Sequence, residues 1–425
     1  MLLQVLVIGE LIEQAPAGEQ SRYRDKTTVI DLILEPFMLP FVRAVAKRFR
    51  SARRQDFILS HPRLRGIPSV DLVEQPAVNG PERIHATRRL LKAYKIAHAE
   101  EASIPIGPAE DDLWTNLVTS TFGQLLQILD ADDPEALANY LLHFGETYTW
   151  FGGLTFSLDA YVRSEDRSRV ALTYFDKLIC LAESLGVLPV EHPEHGRWGQ
   201  NLYLDIADTI RGIETVLGIS IAPPLGAVHV VGIKTPHGVF HYRHLNAIYT
   251  AHRLHTLLSK EGGAVCEYGG GLGVVALYAR RMGISDYTLI DIPLTNLFAG
   301  HFLINSIGAQ AVSLYGETQR PDSIKILPFW KCLDAPNDAF RISINQDSFP
   351  EVDEALVRRY LREIGRTTQE YFLSINHEAQ STMTPTRQQL NISTILKDYA
   401  NFTRQYRSRY WLREGYLEEL YKVAR

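Results

Sequence analysis

The run Ala264-Val265-Cys266-Glu267-Tyr268-Gly269-Gly270-Gly271-Leu272-Gly273 constrains this chain more than any other feature. It reads as a short apolar strand that ends in a glycine turn, followed by a helix from Val274 to Met282 with a stop at Gly283. Tyr287-Thr288-Leu289-Ile290-Asp291 is the next strand, with an acid at its tip. This alternation of strand and helix signals a doubly wound α/β sheet. Glycines let the backbone turn tightly and approach a ligand closely. The helix start offers free N–H groups to a negative group, and an acid at the second tip can accept both hydroxyls of a ribose.

Two ligands use this layout. NAD needs Gly-x-Gly-x-x-Gly or -Ala, which Gly271, Gly273 and Ala276 satisfy loosely, with Asp291 about 20 residues on. The other is S-adenosylmethionine. Glu267 separates them, because a carboxylate there would repel a pyrophosphate and favour an amino-acid ammonium. The expectation is therefore an S-adenosylmethionine-dependent enzyme. A nucleotide-dependent oxidoreductase and a non-catalytic cofactor-binding protein are the alternatives.

The rest of the chain sets bounds. Its 425 residues are 45% hydrophobic and 22% charged, a soluble globular profile with room for two or three domains. A net charge of -5 argues against bulk nucleic-acid binding. The three cysteines, Cys180, Cys266 and Cys332, are too far apart for a metal knuckle and suit reduced thiols in the cytoplasm. Met1 to Gly9 is short and lacks a basic leader, so it reads as a strand, and no apolar run approaches a membrane span.

Residues 1–110 are broken by prolines and read as an irregular region of short helices and strands. Within them, Arg43, Lys47, Arg48, Arg50, Arg53 and Arg54 alternate with apolar residues as on an amphipathic helix. Its basic face is either solvated or a site for phosphates or an anionic glycan. Residues 111–240 read as helical, with one helix starting at Asp111-Asp112 and a second opened by Asp132-Asp133-Pro134-Glu135. This part is expected to cover the acceptor site or to form a homodimer interface. Trp150-Phe151-Gly152-Gly153-Leu154 within it is either a packed aromatic turn or a lid hinge. The catalytic domain is expected over residues 241–425. His241, His244, His252 and His255 share one arc of its first helix, but His244 and His252 would lie about 12 Å apart along the axis. They are read as polar residues at a domain junction, with no metal site.

Glu267-x-Gly269-x-Gly271-x-Gly273 also resembles the cofactor motif of class I methyltransferases. The C-terminal half is similar to a bacterial sugar O-methyltransferase family through four blocks: the cofactor turn with Leu289 to Pro293, then Ile344 to Glu351, Phe372 to Glu378 and Trp411 to Tyr421. The resemblance implies a Rossmann-like class I methyltransferase sheet behind a mainly α-helical N-terminal region. It implies O-methylation of a sugar or glycoside, with a non-sugar natural product as the alternative acceptor. The cofactor would lie against Glu267, Gly269, Gly270, Gly271, Gly273, Asp291 and Ile292. Tyr242 and Arg243 would meet its amino-acid end. Topology puts ligands at the carboxyl ends of the strands. That makes Asn345, Ser348, Glu351 and Glu378 acceptor-side candidates. His377 and Asp347 are the candidate bases, with Glu378 or Asp347 orienting His377. Asp347 could instead cap the helix expected from Pro350. Arg413 would bind a substrate anion or pair with Glu418.

Overall fold

The computed structural model describes residues 70–78, 80, 82–101, 103–104, 113–146, 167–192, 194, 199–258, 262–380, 382–384 and 387–424. The basic cluster from Arg43 to Arg54, the Asp111-Asp112 helix start and the Trp150 to Leu154 segment lie outside the described residues. Residues 66–425 form one compact unit.

Its strands are β1 (Leu72–Gln75), β2 (Val230–Thr235), β3 (Gly238–Phe240), β4 (Val265–Tyr268), β5 (Tyr287–Asp291), β6 (Val312–Ser313), β7 (Ile324–Pro328), β8 (Phe340–Gln346), β9 (Thr368–His377), β10 (Thr382–Thr384), β11 (Arg387–Gln388), β12 (Phe402–Arg409) and β13 (Tyr416–Val423). The helices are α1 (Arg83–Glu101), α2 (Leu113–Thr121), α3 (Gly123–Asp130), α4 (Pro134–His143), α5 (Arg167–Ser184), α6 (Ile206–Leu217), α7 (Tyr242–Leu258), α8 (Val274–Arg281), α9 (Pro293–Ile307), α10 (Glu354–Thr367) and α11 (Ile392–Ile395).

Eight strands form the main sheet in the order β12-β13-β9-β8-β4-β5-β7-β6. Strands β6, β7, β5, β4, β8 and β9 run parallel, and β13 then pairs antiparallel with both β9 and β12. The chain builds outward from β4 to β5 and β7, then returns to the other side of β4 to lay down β8 and β9. This is the expected Rossmann-like doubly wound sheet, and its direction of build reverses between β4 and β8, the point where such sheets take ligands. Asn345 Nδ2 bridges those two tips by donating to the Tyr268 carbonyl at 2.8 Å.

Alternation along β4 divides its side chains between two layers. Cys266 and Tyr268 join Ile290, Phe349, Phe372 and the apolar face of α10 in one core. Phe349 stacks on Tyr360 with ring centroids 5.6 Å apart. Helix α10 carries its buried residues Leu356, Val357, Tyr360, Leu361 and Ile364 at helical spacing, which fixes it on this face. It starts later than the sequence suggested. A 3-10 turn over Phe349–Glu351 comes first, and Asp353 is the cap, accepting from the Ala355 and Leu356 amides. Asp347 therefore does not cap this helix.

Two further expectations change. The single helix from Leu113 breaks at Phe122, whose buried ring packs on Phe298 of α9 at 5.5 Å between centroids. Within the supposed irregular region, residues 83–101 form α1, a long helix lying on α9 and on the sheet edge. Arg89 of α1 makes a two-point ion pair with Glu317 at 2.7 and 2.8 Å and donates to the Ala309 and Val312 carbonyls. Leu90 is 1% exposed and fills the space left by Gly300, where a Cβ would stand 2.5 Å from a Leu90 methyl. Position 240 is likewise no gap in packing, since α7 rests on both α5 and α8. Among the described residues no helix is long and apolar enough to cross a membrane.

Leu90→Ala would remove that wedge and should lower unfolding free energy by about 2–5 kcal/mol in urea titration. A change below about 1 kcal/mol would mean that α1 unfolds separately from the sheet.

Candidate cofactor and acceptor site

The glycine turn leaves β4 with alternate residues in the left-handed region: Gly269 at φ 71°, Gly271 at 57° and Gly273 at 76°. L-residues rarely adopt these angles, which accounts for the spacing. Two of the glycines are also required sterically. A Cβ on Gly269 would stand 2.0 Å from Ser348 Oγ, and one on Gly270 would stand 2.8 Å from Glu267 Oε2. Glu267 thus lies directly beneath the loop. It is 2% exposed, with the Gly270 backbone packed against its carboxyl.

Asp291 ties the loop from the side. Its Oδ2 accepts the Gly271 amide at 3.0 Å and its Oδ1 accepts the Ile292 amide at 2.8 Å. The Thr295 hydroxyl donates to the same carboxylate, which leaves room for one further hydrogen bond from a ligand hydroxyl. Burial pushes both Glu267 and Asp291 up to about 7, and the charge of Asp291 raises Glu267 further. No Lys, Arg or His among the described residues forms an ion pair with either. Glu267 receives one side-chain hydrogen bond, from the Tyr287 hydroxyl at 2.8 Å. Ile292, half-buried, packs on the Tyr268 side of the sheet.

The acceptor-side candidates divide sharply. Asn345 is 0% exposed and fully engaged. Its amide nitrogen donates to Tyr268 O and Ser348 Oγ, and its oxygen accepts from Asn376 Nδ2 at 3.0 Å. It is a brace between strand tips, which removes it from the sugar-binding role expected of it. Ser348 is half-buried against Gly269 and belongs to the same brace. Glu378 turns outward to Arg407 with two bonds of 2.8 and 2.7 Å, and this pairing holds its carboxyl below the ordinary range. It therefore neither orients His377 nor stands free for substrate. Arg413 does not pair with Glu418, which is buried and taken by Arg253, Tyr249 and Tyr406. Arg413 and the Tyr416 hydroxyl instead both donate to Asp347.

That triad dominates the wall beyond the β8 tip. Asp347 is a non-glycine residue at φ 65°, a conformation Asp tolerates better than most. Both oxygens of Asp347 are already taken by donors, which leaves the task of a base to other groups. His377 remains suited to that task. The antiparallel register sets Tyr416 opposite His377, with ring centroids 5.4 Å apart at 72°. Burial lowers the His377 pKa, so the imidazole is neutral near pH 7 and keeps one acceptor nitrogen. Its Nδ1 is buried without a hydrogen-bond partner, and the ring also bonds the Ala379 backbone. Glu351, half-buried nearby, is pushed up to about 7 by burial and by Asp347. The Arg243 guanidinium lies over the Tyr242 ring at 5.3 Å, with no carboxylate at ion-pair distance among the described residues. It pulls against the rise at Glu351, which places both residues in this neighbourhood.

The histidine arc resolves into local roles. His241 Nδ1 accepts the Arg243 amide at the start of α7, and burial holds the ring neutral. His244 meets the Tyr278 hydroxyl at 3.0 Å, and burial lowers it to about 3. Among the described residues no group of three or more His, Cys, Asp or Glu could hold a metal ion.

Sequence reasoning missed Tyr287 and Tyr416. The sequence marks Tyr287 only as a strand residue and Tyr416 only as part of the Trp411 to Tyr421 block, because the contact of each depends on strand register.

No protein-family model matches this chain, and no curated protein matches it. Solved structures resemble part of it. A protein from Pyrococcus horikoshii OT3 gives a TM-score of 0.34 at 14% identity over 43% of this chain and 91% of that one. The glycopeptide N-methyltransferase MtfA complexed with (S)-adenosyl-L-methionine gives 0.34 at 14% identity over 45% and 99%. An S-adenosylmethionine dependent methyltransferase from Mesorhizobium loti gives 0.29 at 13% identity over 41% and 97%. At these identities and scores the likeness carries no functional weight.

The two raised carboxyls fix the sign of a pH effect. Folding raises both pKa values above those of the unfolded chain, so the native state holds extra protons between about pH 4 and 7. Their contribution favours folding least above pH 7. Glu267→Gln should therefore gain stability relative to the parent between pH 4.5 and pH 8, by about 1 kcal/mol or more, since one pKa unit is about 1.4 kcal/mol. Urea unfolding at the two pH values measures it, and an unchanged difference would show that Glu267 titrates normally.

Proposed function

We propose that this chain is an S-adenosylmethionine-dependent methyltransferase acting on a hydroxyl of a sugar or glycoside. The observation that carries the cofactor reading is the buried Glu267 carboxyl under a glycine turn, accompanied by Asp291 and paired with no cation among the described residues. A cationic ligand group above Gly270 would favour the ionised form of Glu267. A diphosphate there would be repelled in a poorly screened setting. A ribose hydroxyl suits the acceptor capacity that Asp291 retains. The residues present therefore fit S-adenosylmethionine better than NAD.

When bound, that cofactor supplies a methyl group on a positively charged sulfur. The chain does the rest. The glycine turn gives backbone access, and Glu267 and Asp291 fix the two ends of the ligand. Arg243 is available for a carboxylate. On the acceptor side, the half-buried His377 takes the proton from the attacking hydroxyl onto a ring nitrogen. Asp347, held by Arg413 and Tyr416, stands close enough to stabilise the resulting imidazolium. The same Asp347 charge raises the His377 pKa against the effect of burial. The sugar class rests on the resemblance of the four C-terminal blocks. A net charge of -5 favours a small-molecule or glycan acceptor over nucleic acid.

Incubation of a sugar and glycan panel with a labelled methyl donor tests the activity. His377→Ala should lower turnover about 10²–10⁴-fold, the range expected for a lost general base, with S-adenosylhomocysteine affinity unchanged. Wild-type turnover in that variant would clear His377. Calorimetry showing that the protein binds NADH and neither S-adenosylmethionine nor S-adenosylhomocysteine would overturn the proposal.

A further inference from the structure

Glu267 is buried at the floor of the glycine turn, and what keeps its carboxylate aimed at Gly270 is a hydroxyl from the neighbouring strand. Parallel pairing sets Glu267 of β4 beside Leu289 of β5. Tyr287 lies two residues before Leu289, on the same face of the sheet. Its ring is 0% exposed, and its hydroxyl donates to Glu267 Oε2 at 2.8 Å. The same Oε2 is the atom that a Cβ on Gly270 would approach to 2.8 Å. One oxygen thus meets the hydroxyl on one side and the loop backbone on the other.

We propose that Tyr287 is a positioning residue for the cofactor's cationic end: its buried hydroxyl fixes the Glu267 carboxylate under Gly270 and favours the ionised form that attracts an ammonium. The inference rests on the cofactor reading above and extends it to a residue that touches no ligand. The titratable groups acting on Glu267 are few. Tyr287 stabilises its charge, and Asp291 opposes it. The Cys266 thiol, the preceding residue on β4, is raised by burial and by Glu267 among other neighbours. Losing the Tyr287 hydroxyl therefore leaves the ionised carboxylate with no side-chain donor among the described residues.

Tyr287→Phe keeps the ring and its packing. A hydrogen bond to a charged group corresponds to about one to two pH units in carboxyl titration. The Glu267 midpoint should move upward by that amount, read by carbon NMR of the glutamate-labelled protein with Glu267→Gln identifying the signal. S-adenosylhomocysteine, which carries the ammonium, should bind about tenfold more weakly at pH 7, with the gap narrowing to about twofold by pH 8.5. Adenosine, which lacks the ammonium, should bind equally to both proteins. In a Glu267→Gln background Tyr287→Phe should have no further effect.

An unchanged carboxyl midpoint would overturn the proposal. So would an equal loss of adenosine and S-adenosylhomocysteine affinity, which marks general damage. If the parent protein binds S-adenosylhomocysteine at no pH between 6 and 9, the cofactor reading falls on its own, and the NMR titration still decides whether Tyr287 sets the state of Glu267.

Discussion

A carboxyl group enclosed without a partner cation among the described residues is the constraint around which the centre of this protein is organised. Glu267 sits at the carboxyl end of the middle strand, beneath a turn whose glycines leave only backbone above it. Enclosure disfavours its charge, and nearby Asp291 adds to the strain. Such an arrangement persists when the surroundings over-determine it and some function benefits. Here the surroundings are identifiable. They are the Tyr287 hydroxyl, the parallel register of β4 with β5, and a loop tied down by the Asp291 carboxylate.

The opposite wall is built on a different principle. Charge there is compensated inside the protein, through Asp347 with Arg413 and Tyr416, and through Glu378 with Arg407. These pairings link the β8 and β9 tips to the final hairpin. The polar residues around the crevice thus serve two purposes. Asn345, Ser348 and Glu378 hold strand ends in place, while His377, Glu351 and Arg243 keep chemical capacity that the fold does not consume. A carboxylate or an amide near a crevice is therefore insufficient to mark a ligand contact, and its hydrogen-bond partners decide.

The helical part is not an attached cap. Helix α1 is pinned to the edge of the sheet by Arg89 and Leu90, and Phe122 and Phe144 pack on Phe298 of α9. Helix α1 thus ties the β6 edge of the sheet to residues far upstream. The composition of residues 83–101 concealed this. The helix presents a broad mixture of polar and buried residues, and its neighbours on α9 are more than two hundred positions away.

By itself, the sequence determined the strand, turn, helix and strand around Gly269 to Gly273, because left-handed backbone angles and alternating burial leave local signatures. It also put Glu267 in the strand before the turn and Asp291 at the tip of the next strand, where the structure has them. Only the tertiary structure decided which side chains remain free. Asn345 and Glu378 had the same chemical credentials as His377 until register and packing assigned them Asn376, Ser348 and Arg407 as partners. Tyr287 and Tyr416 acquired their roles in the same way. The physical reason is that backbone conformation is set largely within a few residues, whereas the fate of a polar side chain depends on which strand the fold lays beside it.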